Sequence, residues 1–429
     1  MRKLQVYVEL SGKQVHVGNI HGNGPDDACF EYDKKYIETQ GAMPISLSLP
    51  FLNQEYDSEK TKYFFEGLLP EGFTRRCVAE WMHVEENDYL SILAGLGHEC
   101  LGAIKILEEG KEAISPAYKQ LSFDDVRNLA KEGATESAQM VTKAHLSLTG
   151  ASGKAGLYYD ERNSQWYLPI GDAPSTHIVK QSHVRLEGIV TNEQLCLLTA
   201  QYLGIDTPES FVIDTGNSQD GDILFATKRY DRIYSARPYR IDGLPVPYRI
   251  HQEDFAQAMG ISAQRKYEHN QEGYLKKMFD LLRVYSANPI IDQLKLWDIC
   301  VFNYLVGNTD GHIKNFSLLY GKDLKTVRLA PAYDIVSTAV YENCTKEMAF
   351  SIGGNYALDK IDYRSFEREA KESGIGVKVA MKRFNFLASN FTNALQRSSE
   401  YLVEQGFVNA GEIKERILKN GGIQFCKAV

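Results

Sequence analysis

Several features that would place this chain outside the cytoplasm are missing from its 429 residues. The seven cysteines are scattered, and none belongs to a C-x-x-C pair or to a Cys/His spacing typical of zinc sites. No stretch of about 18 apolar residues occurs, so no membrane span is predicted. The opening MRKLQVYVEL lacks the apolar run of a signal peptide. We therefore expect a cytoplasmic protein with reduced cysteines and no membrane partner.

Positive charge is also in short supply, because 48 Lys and Arg residues face 56 Asp and Glu residues, for a net charge of −8. Nonspecific affinity for nucleic acids is mainly electrostatic, so this balance disfavours direct DNA binding by the chain alone. It does not exclude nucleotides, whose phosphates magnesium and a few lysines can neutralise locally. The apolar fraction of 43% is typical of globular proteins, and the length suggests roughly two or three domains.

The apolar pattern changes from strand-like to helix-like along the chain. Alternate positions from Leu4 to Leu10 are apolar, which predicts a half-buried strand. Asn192 is expected to cap a helix that runs from Glu193 to Leu203. Apolar spacings of three and four predict further helices at Tyr274–Tyr285, Ile290–Val306 and Val377–Gln405. The fold class is therefore predicted to be α+β, with a β-rich first half and a helix-rich second half.

A glycine-rich segment at residues 147–156 reads SLTGASGKAG. Glycines allow a backbone to approach a ligand closely, and successive N–H groups can surround phosphate oxygens. The segment is not a Walker A loop, because Leu148 stands where that motif has glycine and Ala155 stands where it has Ser or Thr. Taken alone, the segment is better interpreted as an ordinary hairpin turn.

A lysine follows shortly after this segment, at the end of the short apolar run Thr176–Lys180. In protein kinases a strand lysine pairs with the α- and β-phosphates of ATP, and Lys180 has the residue type and position for that role. Taken alone, however, Lys180 is better interpreted as a solvated lysine at a strand end.

The sequence NTDGHIKN at residues 308–315 carries the strongest chemical signal. Asp310 and Asn315 have the D-x-x-x-x-N spacing of the kinase catalytic loop, in which the aspartate accepts the substrate proton and the asparagine binds magnesium. Gly311 permits a tight turn between them. A loop at a helix end would explain the turn residues, but it does not require a carboxylate, an imidazole, a lysine and an amide together.

A lone aspartate, Asp334, follows at the end of the apolar stretch APAYDI. Kinases place a magnesium-binding aspartate just downstream of the catalytic loop, although here Tyr-Asp-Ile replaces their Asp-Phe-Gly. Its carboxylate is the hard oxygen ligand that magnesium requires. Glycine loop, strand lysine, D-x-x-x-x-N and aspartate occur in the order in which kinase parts follow one another, which predicts phosphoryl transfer.

At these residues the chain resembles the HipA family of bacterial serine/threonine kinases, and the resemblance covers nearly its whole length. The matching segments are Phe64–Gly72, Ser147–Lys154, Thr176–Lys180, Thr227–Arg232, His251–Phe255, Asn308–Ser317 and Pro331–Asp334. The resemblance implies a bilobal protein-kinase-like fold with an added N-terminal subdomain. The expected domains are residues 1–110, residues 111–235 as the small lobe with the glycine-rich loop, and residues 236–429 as the helical large lobe.

The resemblance also implies ATP and Mg²⁺ as cofactors and assigns roles to residues. Asp310 would be the catalytic base, with Asn315 and Asp334 as magnesium ligands. Ser147 would be the autophosphorylated serine, whose added charge would weaken ATP binding by the adjacent loop. The cofactor-binding residues would be Gly150, Ala151, Ser152, Gly153, Lys154, Lys180, Lys228 and Tyr230 of the small lobe, together with His312 and Lys314 of the large lobe.

Members of this family act as toxins of toxin–antitoxin pairs, which implies several partners. These are a HipB-like DNA-binding antitoxin, operator DNA reached through that antitoxin, and a protein substrate from the translation machinery such as an aminoacyl-tRNA synthetase. Two other functions remain open from the residues alone. The same D-x-x-x-x-N machinery would serve a small-molecule kinase, and a nucleotide-binding co-repressor module would need no catalysis.

Overall fold

The computed structural model describes residues 2–110, 114–132, 153–182 and 186–426. The strands within these ranges are β1 (Arg2–Leu10), β2 (Lys13–Gly22), β3 (Cys29–Tyr32), β4 (Glu55–Tyr56), β5 (Ile104–Glu108), β6 (Ala117–Gln120), β7 (Lys154–Asp160), β8 (Gln165–Ile170), β9 (His177–Gln181), β10 (Ser210–Asp214), β11 (Ile223–Lys228), β12 (Arg232–Ile233), β13 (Arg240–Ile241), β14 (Leu244–Pro245), β15 (Tyr248–Arg249), β16 (Gln252–Asp254), β17 (Ser317–Tyr320), β18 (Val327–Leu329), β19 (Glu347–Ile352) and β20 (Asn355–Ala357). The α-helices are α1 (Lys34–Glu38), α2 (Ser58–Phe65), α3 (Gly72–Met82), α4 (Tyr89–Leu96), α5 (Phe123–Glu132), α6 (Ile189–Tyr202), α7 (Phe255–Met259), α8 (Tyr274–Tyr285), α9 (Pro289–Val306), α10 (Tyr363–Glu372), α11 (Val377–Glu404) and α12 (Asn409–Asn420). Strands and helices are mixed as the α+β class requires, which confirms that prediction.

Internal contacts divide the chain into two compact units, each assembled from three segments. The first unit comprises Met1–Gln181, Ile213–Ala263 and Leu318–Thr326. The second unit comprises Ser182–Val212, Gln264–Ser317 and Val327–Val429. The chain therefore passes between the units more than once, and domain boundaries near residues 110 and 235 stay a prediction.

Two larger antiparallel sheets of the first unit carry most of its strands, beside the two-stranded sheets β12-β15 and β13-β14. One has the order β4-β3-β2-β1-β5, and its strand β1 buries Leu4, Val6 and Val8 on one face, which confirms the predicted half-buried strand. In the other sheet five neighbouring strands have the order β11-β9-β7-β8-β6. Lys154 and Lys180 lie directly opposite each other where β7 pairs with β9.

The segment from His251 to Phe255 joins parts of the first unit that are distant in sequence. His251 donates a hydrogen bond from Nε2 to the carbonyl of Ile45 at 2.7 Å, and burial lowers its pKa to about 4, so the ring is neutral. Glu253 accepts hydrogen bonds from Ser46 Oγ at 2.6 Å and from the backbone N–H of Leu47 at 3.0 Å. Within this unit, the segment His251–Phe255 therefore makes contacts that stabilise the fold.

A cluster of buried charged side chains also links distant segments of the first unit. Glu99 contacts the guanidinium groups of Arg229 and Arg232 at 3.4 and 2.6 Å, and all three side chains are nearly inaccessible. Asp231 pairs with the same two arginines at 2.7 and 3.0 Å. Although burial favours the neutral acid, these arginines hold the pKa of Asp231 well below its usual range. Charges buried in this way are tolerated only because each has a hydrogen-bonded partner.

Helices make up the core of the second unit. Helix α9 begins with Pro289 at its first turn, ends at the left-handed Gly307, and is buried without interruption from Leu296 to Val306. It packs against α8 and α11, and Trp297 donates a hydrogen bond from Nε1 to the carbonyl of Ala380 at 2.9 Å. None of the helices within the described ranges is long and apolar enough to cross a membrane.

Helix α6 corrects one expectation, because it begins at Ile189 rather than at Glu193. Its N-cap residue is the left-handed Gly188, and Asn192 lies buried inside the helix. The side chain of Asn192 donates to the carbonyl of Ser337 and accepts from the N–H of Ser337, both at 3.0 Å. Asn192 as an N-cap was therefore wrong, since a distant backbone segment satisfies the amide that a cap would have used.

We expect the substitution Glu99→Ala to destabilise the protein by about 3–5 kcal/mol, because it leaves two buried guanidinium groups to share the single carboxylate of Asp231. Urea denaturation followed by tryptophan fluorescence measures this. The matched control is Glu109→Ala, which breaks an exposed ion pair with Lys3 at 2.7 Å and should cost less than about 1 kcal/mol. Equal effects of the two substitutions would contradict a stabilising role of the buried cluster.

Candidate active site

The loop after α9 is held from beneath by buried polar side chains of the second unit. Asn308 donates a hydrogen bond from Nδ2 to Asn303 Oδ1 at 3.0 Å and accepts one from the N–H of Asp310 at 3.2 Å. The N–H of Thr309 donates to Thr338 Oγ1 at 2.7 Å. Asp310 itself is exposed. These hydrogen bonds fix the backbone on either side of the exposed Asp310 carboxylate. A proton acceptor that has to reach a bulky substrate needs this exposure.

Asp310 and Asn315 come together because the residues between them form a tight turn. The N–H of His312 and the side-chain Nδ2 of Asn315 both donate to the carbonyl of Asp310, at 2.8 and 2.9 Å. Ile313–Asn315 forms one turn of 3-10 helix. With Nδ2 directed to the backbone, Oδ1 is the atom of Asn315 that suits a hard cation. The structure thus brings together the two residues of the D-x-x-x-x-N spacing.

Tyr333 joins the segment that carries Asp334 to this loop. Its hydroxyl donates to the carbonyl of Lys314 at 3.0 Å and lies 2.6 Å from Ser317 Oγ. The N–H of Ala330 donates to the carbonyl of Ser317 at 2.9 Å. These contacts lie on both sides of Asn315 in the sequence. Asp334, the residue next to Tyr333, is therefore held against the loop that contains Asp310 and Asn315.

The backbone of Asp334 is in the left-handed region, with a φ of +58°. Residues other than glycine rarely adopt this conformation, and it persists only where the surrounding structure enforces it. Such conformations concentrate at functional sites. Here the left-handed residue is the one that the sequence predicted as a metal ligand, and it directly follows Tyr333, whose hydroxyl contacts the loop.

The oxygen atoms offered near this loop fit Mg²⁺ better than a metal ion whose ligands all come from the protein. Within the part of the chain that the structure describes, no three or more His, Cys, Asp and Glu side chains form a metal cage. Asn315 and Asp334 offer an amide oxygen and a carboxylate. Mg²⁺ is usually held by one or two carboxylates, water and substrate phosphates, so these two residues fit the ion that a nucleotide brings.

His312 and Lys314 belong to the same loop and are both buried. The ring of His312 meets the ring of Tyr267 edge to face, with centroids 5.2 Å apart. Tyr267 also donates a hydrogen bond from its hydroxyl to Asp310 Oδ1. Sequence reasoning missed Tyr267, because 43 residues separate it from Asp310 and no motif spans that interval.

The first unit holds the predicted phosphate-binding lysines. Lys154 and Lys180 are both buried and occupy directly opposed positions of an antiparallel pair. The Nζ of Lys180 lies 5.3 Å from the ring centroid of Phe225, the residue opposite it on β11. A bound anion near these positions would be attracted by both ammonium groups. Gly153 precedes Lys154, whereas Ser147, Gly150, Ala151 and Ser152 lie outside the described residues.

The predicted adenine-side residues alternate with residues of the buried charge cluster. Lys228 forms an ion pair with the exposed Glu161 at 3.0 Å, and the hydroxyl of Tyr230 contacts the Gln252 side chain. Arg229, between them, is buried with Glu99 and Asp231. Strand β11 ends at Lys228, and Gln252, the partner of Tyr230, also donates to Asp231 of the cluster at 3.1 Å.

Comparisons with known proteins find similar proteins over most of the chain. The HipA-like C-terminal domain matches residues 146–396, and the HipA N-terminal domain matches residues 7–107. The Sinorhizobium fredii protein Y4mE is 32% identical over 391 residues, which cover 90% of either chain. The Shewanella oneidensis serine/threonine-protein kinase toxin HipA is 24% identical over 390 residues, 88% of this chain and 84% of that one.

A solved structure shares the fold. It is the Shewanella oneidensis MR-1 complex of HipA, HipB and operator DNA, which matches with a TM-score of 0.78 at 20% identity, over 99% of this chain and 97% of that chain. This likeness confirms the predicted kinase-like fold of HipA proteins. Together with the two matched domains and the identity to Y4mE, it shows that this chain belongs to the HipA family of kinase toxins.

Proposed function

We propose that this protein is a serine/threonine protein kinase that transfers the γ-phosphate of ATP to a protein of the translation machinery and thereby acts as a toxin. The observation that carries the proposal is the closed loop of Asp310 and Asn315 with Asp334 held against it through Tyr333. Phosphoryl transfer needs positioned charges more than covalent help, and this loop supplies a base and two oxygen ligands.

In the proposed reaction Asp310 accepts the proton of a substrate serine or threonine hydroxyl. The hydroxyl oxygen forms a bond to the γ-phosphorus, the bond from that phosphorus to the β–γ bridging oxygen breaks, and ADP leaves. Asn315 and Asp334 would hold magnesium, which would neutralise charge on the phosphates. Lys180 would pair with phosphate oxygens, together with Lys154 directly opposite it.

The remaining predicted residues fit the same nucleotide. Gly150, Ala151, Ser152 and Gly153 would surround phosphates with backbone N–H groups. Lys228 and Tyr230 would contact the adenine side, and His312 and Lys314 would line the site beside the catalytic loop. Phosphorylation of Ser147 would add about −1.5 to −2 charges next to the glycine-rich segment and oppose ATP binding.

Regulation by a HipB-like antitoxin follows from the Shewanella relative, whose structure contains HipA, HipB and operator DNA. The net charge of −8 supports contact with DNA through such a partner rather than by this chain alone. We therefore propose that the protein binds a small basic antitoxin and joins it on operator DNA. The protein substrate, by the family resemblance, is an aminoacyl-tRNA synthetase or a similar factor.

The substitution Asp310→Asn tests the base. We expect phosphate transfer from γ-labelled MgATP to proteins of a bacterial lysate to fall by about 10²–10⁴-fold, because the amide cannot accept the hydroxyl proton. Folding should persist, since Asp310 is exposed. The matched control is Asp359→Asn, a change at another exposed aspartate of the second unit, which should keep the wild-type rate. Wild-type transfer by Asp310→Asn would refute the assignment.

The same assay separates the substrate classes. Aminoglycosides and phosphoinositides are offered beside the lysate, and labelled products are mapped. Label that appears on serine or threonine of a protein supports the proposal. Label that appears only on a small molecule would replace it with a small-molecule kinase, and ATP binding without turnover would replace it with a nucleotide-sensing module.

The substitution Lys180→Met tests the phosphate contact. We expect the dissociation constant for MgATP to rise by roughly 10–100-fold, as for the loss of one charge-assisted hydrogen bond. Thermal denaturation without nucleotide checks that the variant is folded. The control Lys119→Met alters an exposed lysine on β6 of the same sheet and should leave affinity unchanged. Calorimetric titration with MgATP measures the affinity of both variants. If Lys180→Met binds MgATP as tightly as the wild type, Lys180 does not belong to the site.

A further inference from the structure

Tyr267 contacts the carboxylate of Asp310 from a segment that the sequence did not connect with the catalytic loop. Its hydroxyl donates a hydrogen bond to Asp310 Oδ1. The donor lies between α7 and α8, in the irregular part of the second unit that leads into Tyr274. An exposed aspartate has several rotamers, and one charge-assisted hydrogen bond from a fixed donor selects among them.

The neighbouring Glu268 anchors this donor segment. Its Oε1 accepts hydrogen bonds from the N–H groups of Gly273 and Tyr274 at the start of α8, and its Oε2 accepts one from the N–H of Ser351 at 2.6 Å. The N–H of Glu268 donates to the carbonyl of Ala349 at 2.8 Å. A buried carboxylate thus fixes the backbone beside Tyr267 to a helix start and to β19, so the hydroxyl approaches Asp310 from a rigid support.

The ring of Tyr267 is held on the catalytic loop as well. It meets the ring of His312 at an interplanar angle of 81°, and the Nζ of Lys266 lies 5.6 Å from its centroid. The N–H of Ile313 donates to the carbonyl of Lys266 at 3.4 Å. Contacts with His312 and Ile313, which follow Asp310 in the sequence, therefore also fix the segment of Tyr267. The phenol is thus held in place on both sides and does not meet the carboxylate by chance.

We propose that Tyr267 is a positioning residue, whose hydroxyl holds the Asp310 carboxylate in the orientation that accepts the substrate proton. The inference rests on the proposed function, because it needs Asp310 to be the base. General-base catalysis depends on the direction of the carboxylate, and small displacements of a reacting group lower the rate strongly. Tyr267 is not among the residues proposed to hold ATP or magnesium, so its effect should appear in turnover and not in nucleotide affinity.

The test compares Tyr267→Phe with Tyr274→Phe in the full-length protein. Tyr267→Phe removes the hydrogen bond to Asp310, whereas Tyr274→Phe removes a hydroxyl bond of 2.9 Å to the carbonyl of Arg265 in the same segment. Phosphate transfer from γ-labelled MgATP to lysate protein is measured over a range of MgATP concentrations. For Tyr267→Phe we expect the maximal rate to fall roughly tenfold to a hundredfold, with KM for MgATP within about twofold. Tyr274→Phe should keep the rate within about threefold, since only anchoring of the segment is weakened.

A double variant supplies the decisive readout. If Tyr267 acts through Asp310, the change Tyr267→Phe has no further effect in an Asp310→Asn background. Equal losses in Tyr267→Phe and Tyr274→Phe would make the role one of loop anchoring only and overturn the inference. An increased rate in Tyr267→Phe would also overturn it, because the hydroxyl would then compete with the substrate for the carboxylate.

The inference and the proposed function fail in different ways. If Asp310→Asn transfers phosphate at the wild-type rate, the proposed function is wrong and the inference falls with it. If Asp310→Asn is inactive while Tyr267→Phe has the wild-type rate and KM, the base assignment stands and only the positioning role is wrong.

Discussion

The candidate site depends on the hydrogen bonds that the hydroxyl of Tyr333 makes. By bonding to the carbonyl of Lys314 and to Ser317, it holds one loop of the second unit against another on both sides of Asn315. The following residue, Asp334, lies in the left-handed region. Its strained backbone thus occurs beside the contact between the two loops, in the segment that carries one of the proposed magnesium ligands.

The first unit buries charged side chains in two places. Glu99, Arg229, Asp231 and Arg232 are buried with opposite charges within hydrogen-bonding distance, and this cluster is complete without a ligand. The pair on β7 and β9 consists of two buried lysines in opposed positions. These two lysines are the ones proposed to contact the phosphates of a nucleotide, whose negative charge is opposite to theirs.

Much of the fold was predictable where local spacing decides structure. Helix α8 has the predicted bounds Tyr274–Tyr285, and α9 differs from its prediction by one residue, because apolar spacing and end signals such as Gly307 act within a few turns. Helix α6 was misplaced by one turn because Asn192, a residue typical of helix starts, bonds to Ser337 instead. A side chain with two possible partners cannot be assigned from spacing when one partner is 145 residues away.

The sequence by itself determined the local chemistry of this protein: the D-x-x-x-x-N spacing whose turn brings Asn315 back to Asp310, and the order in which the lysine, the loop and Asp334 follow one another. Only the tertiary structure decided that Tyr333 joins Asp334 to the loop, that Lys154 opposes Lys180, and that Tyr267 contacts Asp310. The physical reason is range. A turn closes through hydrogen bonds between residues a few positions apart, whereas these three contacts depend on strand register and helix packing that the whole chain must establish first.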